Sequence, residues 1–318
     1  MKIYNHIDEF YKIDGAAVTI GTFDGVHLGH QKIISRLQTL AKRTGAETVV
    51  LTFFPHPRMI LHPEDVNIRL ISTMVEKAQQ LDKLGIDHLI ITPFTRDFSN
   101  LSPQEYIKNM LVDKIGMKHI VIGYDHRFGK NRAGGLQHLQ QFAPMYGFEI
   151  EEISQQDIND VAVSSTKIRH ALLDGDVKTA REFLGYPFHL TGKIIRGDQI
   201  GRKIGFPTAN IFVDESYKLI PADGIYAAEV EIRKDESQES KMISLKGMVY
   251  IGHRPTVNGM TRNIEVHIFD FGQDIYDQWI RIYFINFVRE DQKFNSLEEL
   301  RVQLGEDEKV VRACFLES

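Results

Sequence analysis

The chain has 318 residues, 42% hydrophobic and 25% charged, the proportions of a soluble globular protein with room for two domains. A formal net charge of -5 leaves no basic surplus for coating nucleic acid, although a local phosphate site stays compatible with it. The one cysteine, Cys314, excludes an internal disulfide and fits a reducing, cytoplasmic setting, and no apolar run approaches the ~18 residues of a membrane span.

The N-terminal "MKIYNHIDEFYK" lacks the apolar core of a signal peptide. "AAVTIG" then reads as a strand, and "HQKIISRLQTLAKRTG" sets Ile33, Ile34, Leu37, Leu40 and Ala41 on one helical face ending at Gly45. A strand at "TVVLTF", a helix around "MVEKAQQLDKLG", a strand at "HLIITPF", a helix near "SPQEYIKNMLVDKIG" and a strand at "HIVIGYD" follow. Strands alternating with helices of this length imply parallel βαβ units, a sheet that binds ligands at the carboxyl ends of its strands. After "SSTKIRHALLDGDVKTAREFLG" the texture changes to short strands and turns: "FHLTGKIIRGD", "GIYAAEVEIRK", "KMISLKGMVYIG", "NIEVHIFDF" and "WIRIYFINFVRE". These predict a small antiparallel barrel or sandwich. "RKDESQES" reads as a polar, mobile hairpin tip, and the tail places Leu297, Leu300, Leu304 and Val310 on one helical face. The change of texture puts a domain boundary at "LGYP", giving domains 1–184 and 185–318.

"GTFDGVHLGH", Gly21 to His30, falls where the first strand gives way to the first helix. Glycines there let backbone approach a ligand, and the first N–H groups of the helix attract anions. His27 and His30, one turn apart, can donate hydrogen bonds to a phosphate and counter charge that grows during its displacement. A surface histidine pair at a tight turn is the alternative, and a zinc site is disfavoured because no cysteine is near. In "VSSTKIRHALL", Ser164 or Ser165 can cap a helix with Thr166, Lys167 and Arg169 in its first turn, which serves equally as a plain cap or a polyphosphate site. "GYDHRFGKNRAGG" carries Asp125, Arg127, Lys130 and Arg132 in a glycine-rich loop, either a ligand loop at a strand end or a solvated basic one.

In the second half, "GRKIGFPTANI" sets Arg202 and Lys203 between Gly201 and Gly205, so that backbone N–H groups can wrap a phosphate. Thr208 and Asn210 offer hard oxygens two residues apart, on one side of an extended segment, of the kind Mg²⁺ prefers; a turn before a strand is the other reading. In "NIEVHIFDF", Glu265, His267 and Phe269 share one face. Glu265 either faces solvent or, in a cleft, accepts a proton from a substrate hydroxyl.

"GTFDGVHLGHQ", "GYDHRFGKNR" and "SSTKIR", with "FPHP" and "FTRDFSNLSPQEYI" between them, resemble the adenylyltransferase module of the bacterial bifunctional riboflavin kinase/FAD synthetases. "RGDQIGRKIGFPTANI", "PADGIYAA", "YIGHRPTV" and "EVHIFDF" resemble the riboflavin kinase module of the same enzymes, so the resemblance spans essentially the whole chain. It implies a doubly wound nucleotidyltransferase sheet over 1–184 and a β-barrel with a trailing helix over 185–318. It implies ATP, riboflavin, FMN and FAD as ligands, with no nucleic acid, membrane or obligate protein partner. Gly21, Phe23, His27, Gly29 and His30 would contact ATP, with Ser165, Thr166 and Arg169 on the same polyphosphate and Asp125 and Arg127 near flavin or adenosine. In the barrel, Gly201, Lys203 and Gly205 would bind phosphate, Thr208 and Asn210 would hold Mg²⁺ with ATP, and Glu265 would activate the ribityl 5′-hydroxyl. Thr22, Phe54 and His126 depart from the commoner family pattern, which has asparagine, glutamate and phenylalanine there. A different adenylyltransferase, or a flavin-sensing protein without turnover, are the rival readings.

Overall fold

In the computed structural model, which describes residues 1–65, 68–154, 163–197, 200–233, 245–256 and 259–316, the alternating first half forms a six-stranded parallel sheet. Strands β1 (Lys2–Tyr4), β2 (Ala16–Ile20), β3 (Thr48–Phe53), β4 (His88–Thr92), β5 (Met117–Gly123) and β6 (Glu149–Ile153) lie in the order β1-β4-β3-β2-β5-β6. Every residue of β2 and β3 is buried, which is why both read as apolar and threonine runs without charge. The chain steps from β2 outward to β3 and β4, then returns to place β5 on the other side of β2. The loop leaving β2 therefore sits at the switch point of the sheet.

Helices cover both faces. α1 (Leu28–Thr44) buries Ile34, Leu37, Leu40 and Ala41 and stops at Gly45, whose φ of 74° is the left-handed conformation that ends many helices. α2 (Pro57–Leu61), α3 (Met74–Lys83), α4 (Arg96–Ser99) and α5 (Pro103–Glu105) follow, α5 continuing as a π-helix over Tyr106–Ile115, and then α6 (Leu136–Tyr146). Thr73 and Glu76 close a capping box at the start of α3. One core joins Val18, Leu51, Tyr106 and Ile120 on one face of the sheet, and a second joins Ala17, Phe23, Ile34, Val50 and Val121 on the other. The alternation of the strand pleat makes that division.

The second half holds α7 (Ser165–Leu173), α8 (Val177–Leu184), β7 (His189–Ile195), α9 (Ile200–Lys203), β8 (Ala209–Phe212), β9 (Gly224–Arg233), β10 (Leu245–Thr256), β11 (Gly259–Ile268), β12 (Trp279–Arg289) and α10 (Leu297–Cys314). Its strands close into an antiparallel barrel in the order β10-β11-β8-β7-β12-β9, with α10 trailing, as the turn-rich sequence predicted. Two compact units result, Met1–Ser165 and Thr166–Ser318, so the division falls at the first residue of α7. The predicted hairpin tip over 234–240 lies outside the described residues.

α10 departs from the expected face. Leu300 and Leu304 are half-buried, but Leu297 and Val310 are exposed, and the buried positions are Asp307 and Val311. Asp307 turns inward because Arg289 of β12 meets its carboxylate with two bonds, of 2.8 and 2.6 Å. The sequence pattern of a helix cannot show an ion pair that takes an apolar residue's place.

Candidate active sites

Between β2 and α1 the backbone takes left-handed φ values at Phe23 (47°), Gly25 (80°) and Val26 (39°). His27 is the N-cap of α1: its Nδ1 accepts the His30 backbone N–H at 3.3 Å, which puts the proton of the neutral ring on Nε2. The His27 and His30 rings stack with centroids 3.7 Å apart, and the Phe23 ring lies 5.0 Å from His30. The two predicted histidines are thus brought together at the positive end of a helix dipole. Burial, then the charges of His27 and Lys77, hold the His30 imidazole well below its ordinary pKa, so it is neutral at pH 7. Its Nδ1 is buried and has no hydrogen-bond partner among the described residues. A Cβ on Gly29 would stand 3.1 Å from His27 Cε1, so glycine there lets the His27 ring lie flat. Gly21 likewise lies against the Phe23 ring, and Phe23 itself is core rather than surface.

The loop is fastened from beneath by residues the sequence reading did not single out. The Asp24 carboxylate accepts the Ile71 and Ser72 backbone N–H groups at 2.9 and 3.2 Å, and Ser72 Oγ accepts the Gly25 N–H at 3.1 Å. Lys77, on α3, donates to the Thr22 carbonyl at 2.6 Å, and Thr52 Oγ1 donates to the same oxygen at 3.3 Å. Ser165 Oγ donates to the Asp24 carbonyl at 3.0 Å, which ties one predicted phosphate ligand to the loop itself. Thr166 and Lys167 are exposed and Arg169 is half-buried.

Asp125, Arg127, Lys130 and Arg132 are exposed on the loop after β5. That loop is a closed hairpin, Phe128 and Gly134 exchanging backbone bonds of 3.1 and 2.8 Å, with Arg127 packed against Gly135. Phe128 points inward and stacks on Tyr106 at 5.1 Å. From there an aromatic run continues through Phe98, Phe53 and Phe94, each ring within 6 Å of the next. His126 joins it at 5.8 Å from Phe128, with burial pushing its pKa down to about 4. Phe53 ends β3 and Phe94 follows β4, so the run lies along the carboxyl edge of the sheet.

In the barrel, β8 and β11 pair so that Asn210 stands opposite Glu265. Residues opposite one another point the same way, and Thr208 precedes Asn210 by the same two-residue period. Thr208 Oγ1 donates to Glu265 Oε2 at 3.1 Å, and Glu265 is only 7% exposed, which displaces the reading of a solvent-facing glutamate. His267 bonds the Pro207 carbonyl through Nδ1 at 2.8 Å, pinning the strand entry. Gly201 admits the Phe206 carbonyl where a Cβ would collide, and Gly205 has a φ of 89°, so the two glycines shape the turn. Lys203 is exposed. Thr208, Glu265, Met248, Tyr250, Arg289 and Phe294 line a cavity of about 220 Å³.

Two signals in the sequence mark part of what was missed. Lys77 occupies a helix position flanked by the buried Glu76, Ala78 and Leu81, where an apolar residue would be expected. Phe53, Phe94 and Phe128 lie at or beyond the ends of β3, β4 and β5, strand ends that share one edge of the sheet.

The family model described as FAD synthetase matches residues 11–167, and the one described as riboflavin kinase matches 184–315. A bifunctional riboflavin kinase/FMN adenylyltransferase of Listeria monocytogenes is 38% identical over 97% of this chain and 95% of its own length. The Haemophilus influenzae protein of that name is 35% identical over 95% of each. A solved Streptococcus pneumoniae structure named for macrolide efflux is 30% identical, covers 98% of each chain and superposes with a TM-score of 0.84. Among the described residues of the present chain no helix is long and apolar enough to cross a membrane. The match in both halves, in order and over nearly full length, places this chain in the bifunctional riboflavin kinase/FMN adenylyltransferase family.

Proposed function

We propose that the two reactions of this family are divided between the two constellations, riboflavin phosphorylation in the barrel and adenylylation of FMN at the β2–α1 loop. The observation that carries the division is that each compact unit holds its own complete polar group: a stacked histidine cap in one, a Thr208–Glu265 pair on a cavity wall in the other.

In the barrel, the riboflavin 5′-hydroxyl attacks the γ-phosphorus of ATP, its proton passes to Glu265, and ADP leaves. The Thr208 hydroxyl orients the carboxylate that takes the proton. Thr208 and Asn210, two uncharged oxygen donors beside a carboxylate, are the kind of set that holds Mg²⁺ with a nucleotide. The ion's contribution when bound is to neutralise phosphate charge. Gly201, Lys203 and Gly205 offer backbone N–H groups and a cation to the phosphates.

In the parallel sheet, an FMN phosphate oxygen attacks the α-phosphorus of ATP and pyrophosphate leaves. The nucleophile is already anionic at neutral pH, so no general base is needed. His27 and His30, at the amino end of α1, donate to the transferring and leaving phosphates. Asp125 and Arg127, exposed on the loop after β5, supply polar contacts. The aromatic run from Phe94 to Phe128 offers apolar ring edges and faces against which a flavin ring can pack. A cytoplasmic setting fits a chain whose one thiol, Cys314, is half-buried and unpaired to another cysteine. Incubation with riboflavin and Mg²⁺–ATP, followed by chromatographic separation of the flavins, tests the reading: FMN should accumulate first and FAD after it. Formation of neither refutes it.

A further inference from the structure

We propose that Lys77 is a positioning residue of the adenylyl-transfer site: its ammonium holds the β2–α1 loop by the Thr22 carbonyl and keeps a buried positive charge beside the phosphate-facing histidines. The inference rests on the assignment of adenylyl transfer to that loop.

Lys77 is 2% exposed, and among the described residues its ammonium has one acceptor, the Thr22 oxygen, for three donors. Burying an ammonium so sparsely bonded costs stability, and a methionine would fill the same space without that cost. The Thr22 carbonyl does not need the lysine to be satisfied, since Thr52 also bonds it. What the lysine adds is charge and tension on a loop that already carries left-handed φ values at Phe23, Gly25 and Val26. Burial lowers the ammonium to a pKa of about 8, with the Asp24 carboxylate pulling the other way, and its charge in turn helps keep His30 neutral. Among the described residues the charged and titratable groups coupled to it are Asp24 of the loop and His30 of α1, while its neighbour Glu76 accepts from the Thr73 N–H. When a polyphosphate docks on the histidines, its negative charge favours the protonated lysine, so the site binds best with Lys77 charged.

The test uses the full chain with FMN and Mg²⁺–ATP, reading FAD. Phosphate groups are fully ionised above about pH 7.5 and His30 is held neutral well below that, so a basic limb near pH 8 is assigned to Lys77. In the wild type kcat/KM for ATP should fall above about pH 8. Lys77→Met should lose on the order of 10–10² at pH 7, show no bend near pH 8, and unfold at a temperature equal to or above the wild type's. Lys77→Arg, charged at every pH used, should move the bend upward. A Lys77→Met protein within twofold of wild type, a bend that persists in it, or a clear drop in its unfolding temperature would each overturn the proposal, the last by marking the lysine as structural. A wild type that phosphorylates riboflavin but makes no FAD from FMN at any pH would overturn the underlying site assignment as well.

Discussion

Gly29→Ala separates stability from chemistry at the histidine cap. The backbone there is ordinary helix, so alanine is tolerated and gains up to about 1 kcal/mol of helix propensity over glycine. The new Cβ, however, would lie 3.1 Å from Cε1 and 3.2 Å from Nδ1 of His27, so the imidazole must yield by a few tenths of an ångström. One face of that ring stacks on His30, so relief comes by rotation, which opens the 3.3 Å bond to the His30 N–H or parts the stack. Loss of the cap bond costs roughly 0.5–2 kcal/mol, about offsetting the propensity gain, so the unfolding temperature should hardly move. Removing a charge-stabilising donor typically costs on the order of 10²–10³ in rate, and displacing one should cost about 10–10². The assay is FAD formation from supplied FMN at saturating ATP, with a thermal melt and riboflavin phosphorylation read on the same sample. Wild-type FAD formation in Gly29→Ala would refute the argument that the flat seat of His27 matters to transfer.

Asp307→Ala leaves the half-exposed Arg289 guanidinium without its two-bond partner and should cost roughly 2–3 kcal/mol of stability in the barrel. Because Arg289 lines the cavity, riboflavin phosphorylation should fall while supplied FMN is still converted to FAD. His30 stays neutral in the fold at a pH where the unfolded chain takes up a proton, since its pKa lies well below 6.5. Above about 6.5 neither state binds the proton and stability is unaffected; as pH falls below it the unfolded chain alone is protonated and the fold loses stability. Urea midpoints should therefore show the wild type's margin over His30→Gln shrinking between pH 7 and pH 5. The lowered pKa of Lys77 works in the same sense over a higher pH range: the drop from 10.5 to about 8 is a penalty on the order of 3 kcal/mol already present at neutral pH. Lys77→Met should thus melt higher at pH 7 than at pH 9, each relative to wild type.

Much of the fold was legible because its signals are local. β2 and β3 are apolar and threonine runs closely followed by glycine or proline, and α1 and α3 keep helical periodicity between recognisable caps. β6 was not legible: "EIEEI" is an edge strand carrying three glutamates, and only its place beside β5 makes it a strand. β1, three residues at the opposite edge, is set by pairing with β4 in the same way. On the site, His27, His30, Thr208 and Glu265 could be picked out because residue type and spacing suffice to suggest their chemistry. Lys77 and the aromatic run leave only a trace there, a charge on an apolar helix face and aromatics near strand ends, because their meaning comes from loops that meet only after the sheet forms. The exposed Val310 and the buried Asp307 on α10 make the same point, since the partner that decides them sits on β12.

The most direct measurement follows flavins in two single variants. His30→Ala given riboflavin and Mg²⁺–ATP should stop at FMN, and Glu265→Gln should make none from riboflavin yet convert supplied FMN to FAD. If either substitution, in folded protein, abolished both reactions, the division of labour between the two units would be contradicted.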